Sequence, residues 1–590
     1  MQEDEPSLLE SIPDTDPDFG GRGFSYRGKT LLSGVDPSGR ADCVADAVEI
    51  TDRTLYLCPS PLYGYGLERL LARLEQAPNS ALLCIEAEPD LHSLSLENFG
   101  DALKSNPRLR LVGRLGVEKL CSLVRREWGS CAFVTVKTIR LTGGWQLHSV
   151  LYDMLERTLQ TEIAIDWGNA MTLARLGRRY ARNAVRNLAM LPRHLSLGKL
   201  SFGREPVLVL GAGPSLSGTL DALSERFGEA LLDPESRPFR IVCVDTCLPI
   251  LKARGIAPDL AVVLESQHWN IEDFIGLAGW NIPVAMDLSA LPRSAGVLAG
   301  NLYLFFTPWT QLRVFDRLEA AGLLPEVLPP LGSVGLSAVA IALRLSWGSV
   351  ITSGLDFAFS LDLSHARSSP GHCARLRRQN RFTGLLNADA AFGPGTFVAS
   401  SKNGGKVFST PAMRNYRNLF EREFSEFGCS PPQLFDIAGS GLPLGLKTLP
   451  PETAFDILAA NNGAAPQPKR AAESGAATAA DTDLAEKLAS FARVEQGRLS
   501  TLRGMLVGSA DLDHGVLDTL IDECDYLWAH FPDYAAGKRR PPRAELEAGT
   551  PAAVSFLKRL RVEIDPVDAL ITRCFGELTP AASVSAAPGK

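Results

Sequence analysis

Six residues, Gly211, Ala212, Gly213, Pro214, Ser215 and Leu216, directly follow an apolar run from Pro206 to Leu210 that reads as a strand. Beyond them Leu216, Leu220, Leu223 and Phe227 recur at helical spacing. A glycine turn between strand and helix lets backbone approach a ligand, and the free amides of the first helical turn favour a phosphate. Ser215 suits the N-cap. No third glycine and no Gly-Lys-Ser/Thr follows, so this is neither a dinucleotide fingerprint nor a Walker loop. A tight strand–helix turn that binds nothing is an equally good reading of the hexapeptide alone.

A second turn, Gly332-Ser333-Val334, opens a helix of small residues and offers another anion site, with Ser333 as a mere cap the plain alternative. Acids stand at the ends of successive apolar runs: Asp245, Glu265 (with Gln267 beside it), Asp287 and Asp356. Any one of them can cap a helix or order a loop. Four together point to one cleft, because open α/β sheets bind ligands at that edge. His365 and His372 lie in the polar loop after Asp356, where a histidine can serve as general base or be simply solvated. Asp511-Leu-Asp513 has the form of a metal-binding pair, but it lies between helical stretches and reads better as an N-cap.

These groups need a scaffold. Pro206–Leu210, Arg240–Val244, Leu260–Leu264, Pro283–Met286 and Ser349–Thr352 read as strands, mostly separated by helical patterns. The fold class is therefore α/β, with a central doubly wound, Rossmann-like parallel sheet. Six regions are expected: an irregular arm (1–40), a smaller α/β domain (41–145), a helical connector (146–204), the central domain (205–450), a linker (451–482) and a C-terminal helical bundle (483–590).

The 590 residues carry a net charge of −7 and no long basic run, which argues against a dedicated nucleic-acid binder. The acidic first residues lack the positive and apolar regions of a signal peptide, so a cytoplasmic location is expected. Leu336–Phe359 is apolar enough to mimic a membrane span, yet Arg344 and Gly348 interrupt it. A buried helix and strand are expected there, and no membrane insertion. Eleven cysteines show no CxxC pair and no cluster at metal-ligand spacing.

Taken together, the segments Gly211–Leu216, Val242–Asp245, Gly255–Asp259 with Leu264–Gln267, and Gly332–Asp356 resemble the motility-associated factor (Maf) family of flagellin glycosyltransferases, whose central domain is called MptE-like. A looser likeness extends upstream to Arg182–Leu188. The same block is similar to the sialyltransferases of glycosyltransferase family 42, with departures: Ala212 and Asp245 replace asparagines, Ala358 replaces a tyrosine, and the catalytic histidine would fall near Phe408 and Ser409.

The resemblance implies transfer of a nonulosonic acid from a CMP donor to Ser or Thr hydroxyls of flagellin, with no cofactor and no essential metal. Gly211–Leu216, Asp245, Glu265, Gln267 and Gly332–Val334 would hold the nucleotide sugar. Asp356 and His365 would be the catalytic pair, His365 being a substitute for the family's own base. The two turns near 213 and 333 are expected to meet around one phosphate. The rivals are a magnesium-dependent pterin pyrophosphokinase and a non-catalytic flagellar assembly or glycan-binding factor.

Overall fold

The computed structural model describes residues 9–12, 22–129, 131–308, 312–428, 433–460, 481–507, 513–532 and 540–578. The chain divides into two compact units, Met1–Gly177 with Trp528–Ala544, and Arg178–Leu527 with Glu545–Lys590.

In the first unit β1 (Leu9–Ile12), β2 (Gly23–Tyr26) and β3 (Lys29–Leu32) form an antiparallel sheet. The irregular arm expected over 1–40 therefore carries regular structure. Phe24 and Tyr26, two residues apart, are both buried on one face, and this short alternation was masked by the surrounding Gly, Pro and Asp. Arg27 and Gly28 join β2 to β3 with φ of 49° and 72°, the left-handed pair that suits a tight hairpin.

Strands β4 (Thr54–Pro59), β5 (Ala81–Ile85), β6 (Leu109–Val112) and β7 (Thr135–Thr138) form a parallel sheet in the order β6-β5-β4-β7. Leu55, Leu57, Leu83 and Ile85 enter one apolar layer, and Tyr56, Cys58, Leu82 and Cys84 enter the other. Burial on both faces is why these strands read as unbroken apolar runs.

The second unit holds β8 (Leu195–Ser196), β9 (Val207–Leu210), β10 (Arg240–Val244), β11 (Leu260–Val263), β12 (Val284–Asp287), β13 (Leu302–Phe306), β14 (Glu326–Val327) and β15 (Val350–Ser353). A hairpin of β16 (Phe397–Ser400) and β17 (Lys406–Ser409) precedes β18 (Leu434–Ile437) and β19 (Thr448–Leu449). The large sheet runs β14-β13-β12-β11-β10-β9-β15-β18-β19, with β8 beside β13 and every pair parallel. From β9 the chain winds outward to β14, then returns to β15 on the other side. The strand order thus reverses between β9 and β15, and a doubly wound sheet binds ligands at the carboxyl end of such a point.

The 42-residue helix Ser149–Met190 ends against this edge. Asn183 Nδ2 donates to the carbonyls of Ser266 (3.1 Å) and Ser289 (3.0 Å). One turn on, Asn187 Nδ2 donates to those of Leu288 and Ala290, both at 2.9 Å. Two amides on one helix face therefore fix the loops that follow β11 and β12.

The C-terminal helices, including Thr482–Val507, His514–Glu523 and Pro551–Phe575, belong to the same compact unit as the large sheet. Arg317 forks onto Glu495 at 2.9 and 2.8 Å, and Asp525 accepts the amide of Arg313 at 3.0 Å. The first part of the expected linker is a helix, Pro451–Ala459, whose Phe455 and Leu458 are buried. Asn461–Ala480 lies outside the described residues.

Candidate active site at the switch point

Because β9 and β15 lie side by side, the turns that leave them stack on each other. The amide of Gly211 donates to Ser353 O and that of Gly213 to Gly354 O, both at 2.8 Å. A Cβ on Gly211 would stand 2.5 Å from Gly354 O, and one on Gly213 would stand 2.5 Å from Asp356 Oδ2. The glycines are therefore required by backbone against backbone, whether or not a ligand is bound.

Asp356 is buried and accepts both the amide of Ser215 (2.8 Å) and its hydroxyl (2.6 Å). Leu216 N donates to Gly213 O at 3.1 Å, and Pro214 has no N–H. Every amide from 213 to 216 is thus engaged or missing. The expectation that these amides hold a donor phosphate is not met, since a carboxylate of the chain itself already sits at the positive end of the helix. Asp356 is a positioning group with both oxygens committed. The next residue, Phe357, has φ of 46°, a left-handed conformation that is strained for a non-glycine residue.

The second turn does come close. The same methyl, Leu355 Cδ2, lies 2.5 Å from the Cβ position of Gly211 and 2.7 Å from that of Gly335. The Leu355 side chain therefore packs between the two turns, against Gly211 on one side and Gly335 on the other. The helix Val334–Leu345 begins at Ser333 with no side-chain cap, and the buried Ser337 hydroxyl has no partner. Gly332, at φ 65°, lies against the Tyr416 ring. Burial and the charge of Glu265 push the Tyr180 hydroxyl up to about 12, and burial raises that of Tyr416. Neither tyrosine stands out in the sequence, because an aromatic on an amphipathic helix reads as core.

The rim acids divide by what they already hold. Asp287, fully buried, accepts the amides and hydroxyls of Ser289 and Thr307 at 2.5–2.8 Å, tying two loops together. Glu265 orders its own loop by accepting the amide of Gln267 at 2.8 Å. Asp245 has a different partner. Asn270 Nδ2 donates to Asp245 (2.7 Å) and to Asp273 (3.3 Å), while Thr246 donates its amide to the first and its hydroxyl to the second. Ser294 fixes the Asn270 amide by donating to its Oδ1 at 2.8 Å. Burial, and then the charge of Asp245, push the Asp273 carboxyl up to about 7; burial pushes Asp245 up to about 6. Two carboxyls that share donors titrate as a pair near neutrality. Asp273 escaped the sequence reading because it lies in the short 3-10 helix His268–Phe274, well past the end of β11.

Residues 179–362 match the family described as 6-hydroxymethylpterin diphosphokinase MptE-like. Over 562 residues, 93% of each chain, the protein is 28% identical to an uncharacterized protein of Treponema pallidum (strain Nichols). Its fold is similar to that of the MAf glycosyltransferase from Magnetospirillum magneticum AMB-1, with a TM-score of 0.53 at 15% identity, covering 98% of this chain and 94% of the other. No helix among the described residues is long and apolar enough to cross a membrane.

Within the matched residues and just beyond them, the loop after Asp356 is sewn back onto the glycine turn. Ala366 N donates to Ala212 O (2.9 Å) and Arg367 N to Ser217 Oγ (3.1 Å). His365 is thereby held near the turn, but it is exposed and, among the described residues, its ring hydrogen-bonds only to Ser364 Oγ at 3.4 Å. Partial desolvation lowers its pKa. His372 Nδ1 accepts the amide of Ser368. Ser409, where the family 42 histidine would fall, is buried and donates to Phe357 O at 2.9 Å. Asp513 caps the helix His514–Glu523, and Asp511 lies outside the described residues.

Behind Asp356, Lys402 and Asp436 form an ion pair at 2.6 Å with 1% of each side chain exposed. Thr352 Oγ1 donates to the same carboxylate at 2.9 Å. Lys402→Ala leaves a buried charge unpaired and is expected to cost about 3–5 kcal/mol in urea unfolding. The double variant Lys402→Met, Asp436→Leu is expected to recover most of that loss, and a double variant no more stable than the single would refute the account.

Proposed function

We propose that the protein is a glycosyltransferase that moves a nonulosonic acid from a CMP donor to a Ser or Thr hydroxyl of flagellin, acting in the cytoplasm in support of flagellar assembly. The observation that carries this reading is the set of groups gathered at the carboxyl edge of the large sheet around its switch point. There a carboxyl pair poised near neutrality, two tyrosines and an uncapped helix end lie along one sheet edge. The likeness in fold to the MAf glycosyltransferase supports it.

In this reading the anomeric C–O bond to phosphate breaks through an oxocarbenium-like transition state, and CMP departs with the electron pair. The uncapped helix at Ser333, rather than the 213–216 amides, faces the phosphate. The acceptor oxygen forms the new bond while its proton passes to Asp273, held beside Asp245 by Asn270 and Thr246. His365 is the less suited base, since no carboxylate among the described residues orients it. Asp356 holds the glycine turn in place.

A magnesium-dependent pyrophosphokinase is the second reading, favoured by the family description over 179–362. Asp245 and Asp273 would face the cation, although no group of three His, Cys, Asp or Glu side chains converges among the described residues. The deciding experiment supplies purified protein with flagellin and either CMP-nonulosonic acid or ATP with a pterin, each with and without EDTA. Glycopeptide masses on flagellin that persist in EDTA are expected. EDTA-sensitive turnover of ATP with unmodified flagellin would overturn the proposal.

A further inference from the structure

From Ala366 to Leu386 the chain holds five arginines and no aspartate or glutamate, in a protein of net charge −7. Arg375 donates to Leu386 O and Asn387 Oδ1, and none of the five forms an ion pair among the described residues. The helix Pro370–Arg378 has no buried residue. Large apolar side chains stand out from the same stretch and its continuation: Phe382 is 92% exposed, Phe392 76% and Leu386 54%. Basic and apolar groups interleaved at such exposure mark an interaction surface. The surface also has a fixed place, because its first residues bond to Ala212 and Ser217 at the glycine turn.

We propose that residues 366–392 are the docking surface for a polypeptide that carries acidic and apolar side chains together. Guanidinium forks match carboxylates in paired hydrogen bonds, and Phe382 and Leu386 supply apolar contact between them. The surface adjoins the glycine turn at the same sheet edge, so a segment bound here would lie toward the proposed reacting centre, which is what positioning of an acceptor requires. That placement rests on the transferase reading, whereas the chemistry of the partner rests on charge and exposure alone.

The test uses the full chain and a fluorescein-labelled random copolymer of glutamate, alanine and tyrosine, read by anisotropy. Saturable binding that weakens with salt is expected. Arg377→Glu, Arg378→Glu and Arg381→Glu combined should lower affinity about tenfold or more. Phe382→Ser should lower it several-fold while leaving the salt dependence in place. The helix buries nothing, so thermal unfolding of the variants should match that of the parent. Equal binding by the triple variant, or equal binding of a lysine copolymer, would overturn the proposal. So would binding to phosphatidylglycerol vesicles, lost in the triple variant, with the acidic copolymer ignored. Calorimetry with CMP separates the two readings: no CMP binding beside intact, arginine-dependent copolymer binding sinks the transferase and leaves the docking surface standing.

Discussion

Gly354→Ala is expected to destabilise the protein by about 3–5 kcal/mol, a large effect for a single methyl group. Two costs add. The residue sits at φ 70°, where an L side chain carries a penalty of about 1–2 kcal/mol. Its Cβ position also falls inside contact distance of Gly211 O and lies 3.2 Å from Leu216 Cβ. Neither neighbour can yield cheaply, because Gly211 N is bonded to Ser353 O and Gly213 N to Gly354 O. Moving the turns apart would break these bonds and pull Ser215 from Asp356. Gly218→Ala is the control: it lies in the helix Leu216–Phe227, nothing stands within 4 Å of its Cβ position, and it should gain up to about 1 kcal/mol. Urea unfolding measures both, and a Gly354→Ala midpoint equal to the parent's would show that the turns are not in contact as described.

The fold was legible where burial was extreme. Val207–Leu210 and Leu260–Val263 are buried along their whole length, so their apolar character survives without a partner in view. The acids at the strand ends were legible too, because they need only local pattern. What the pattern did not hold is the state of the amides at the glycine turn. Their partner, Asp356, is 141 residues away from Ser215, and only the adjacency of β9 and β15 brings it there. A glycine turn that would cradle a phosphate and one that cradles its own carboxylate have the same local sequence. Leu355 filling the space between Gly211 and Gly335 is of the same kind.

The Asp245–Asp273 pair shows the converse. Asp245 was visible at its strand end, whereas Asp273 acquires meaning only through Asn270, which reaches both carboxyls and is itself fixed by Ser294. A shared amide donor in a short 3-10 helix leaves no periodic trace in a sequence. Burial, and for Asp273 the charge of Asp245, raise the pair toward neutrality against the opposing pull of the shared donors, into the range in which one carboxyl can accept an acceptor's proton and then release it.

Asp273→Asn is accordingly expected to lower kcat about 10²–10⁴-fold with CMP-nonulosonic acid and flagellin, the ordinary loss for a general base. In the parent, activity should rise with pH through about 7, since Asp273 must be ionised to accept a proton. Asp245→Asn removes the like charge that helps to raise Asp273, so the acid limb should move to lower pH. Asn270→Ala removes a donor that favours the ionised form and should move the limb up. Stability runs the other way. Both carboxyls lie above their ordinary value of 3.8 in the folded state, so the unfolded chain releases its protons first. Their contribution is fully present below about 4 and is lost as pH rises through about 6 to 7. Asp273→Asn should flatten that decline in urea midpoints taken across the window, a readout independent of catalysis. An acid limb that stays in place in Asp273→Asn and disappears in His365→Ala would return the role of base to the histidine.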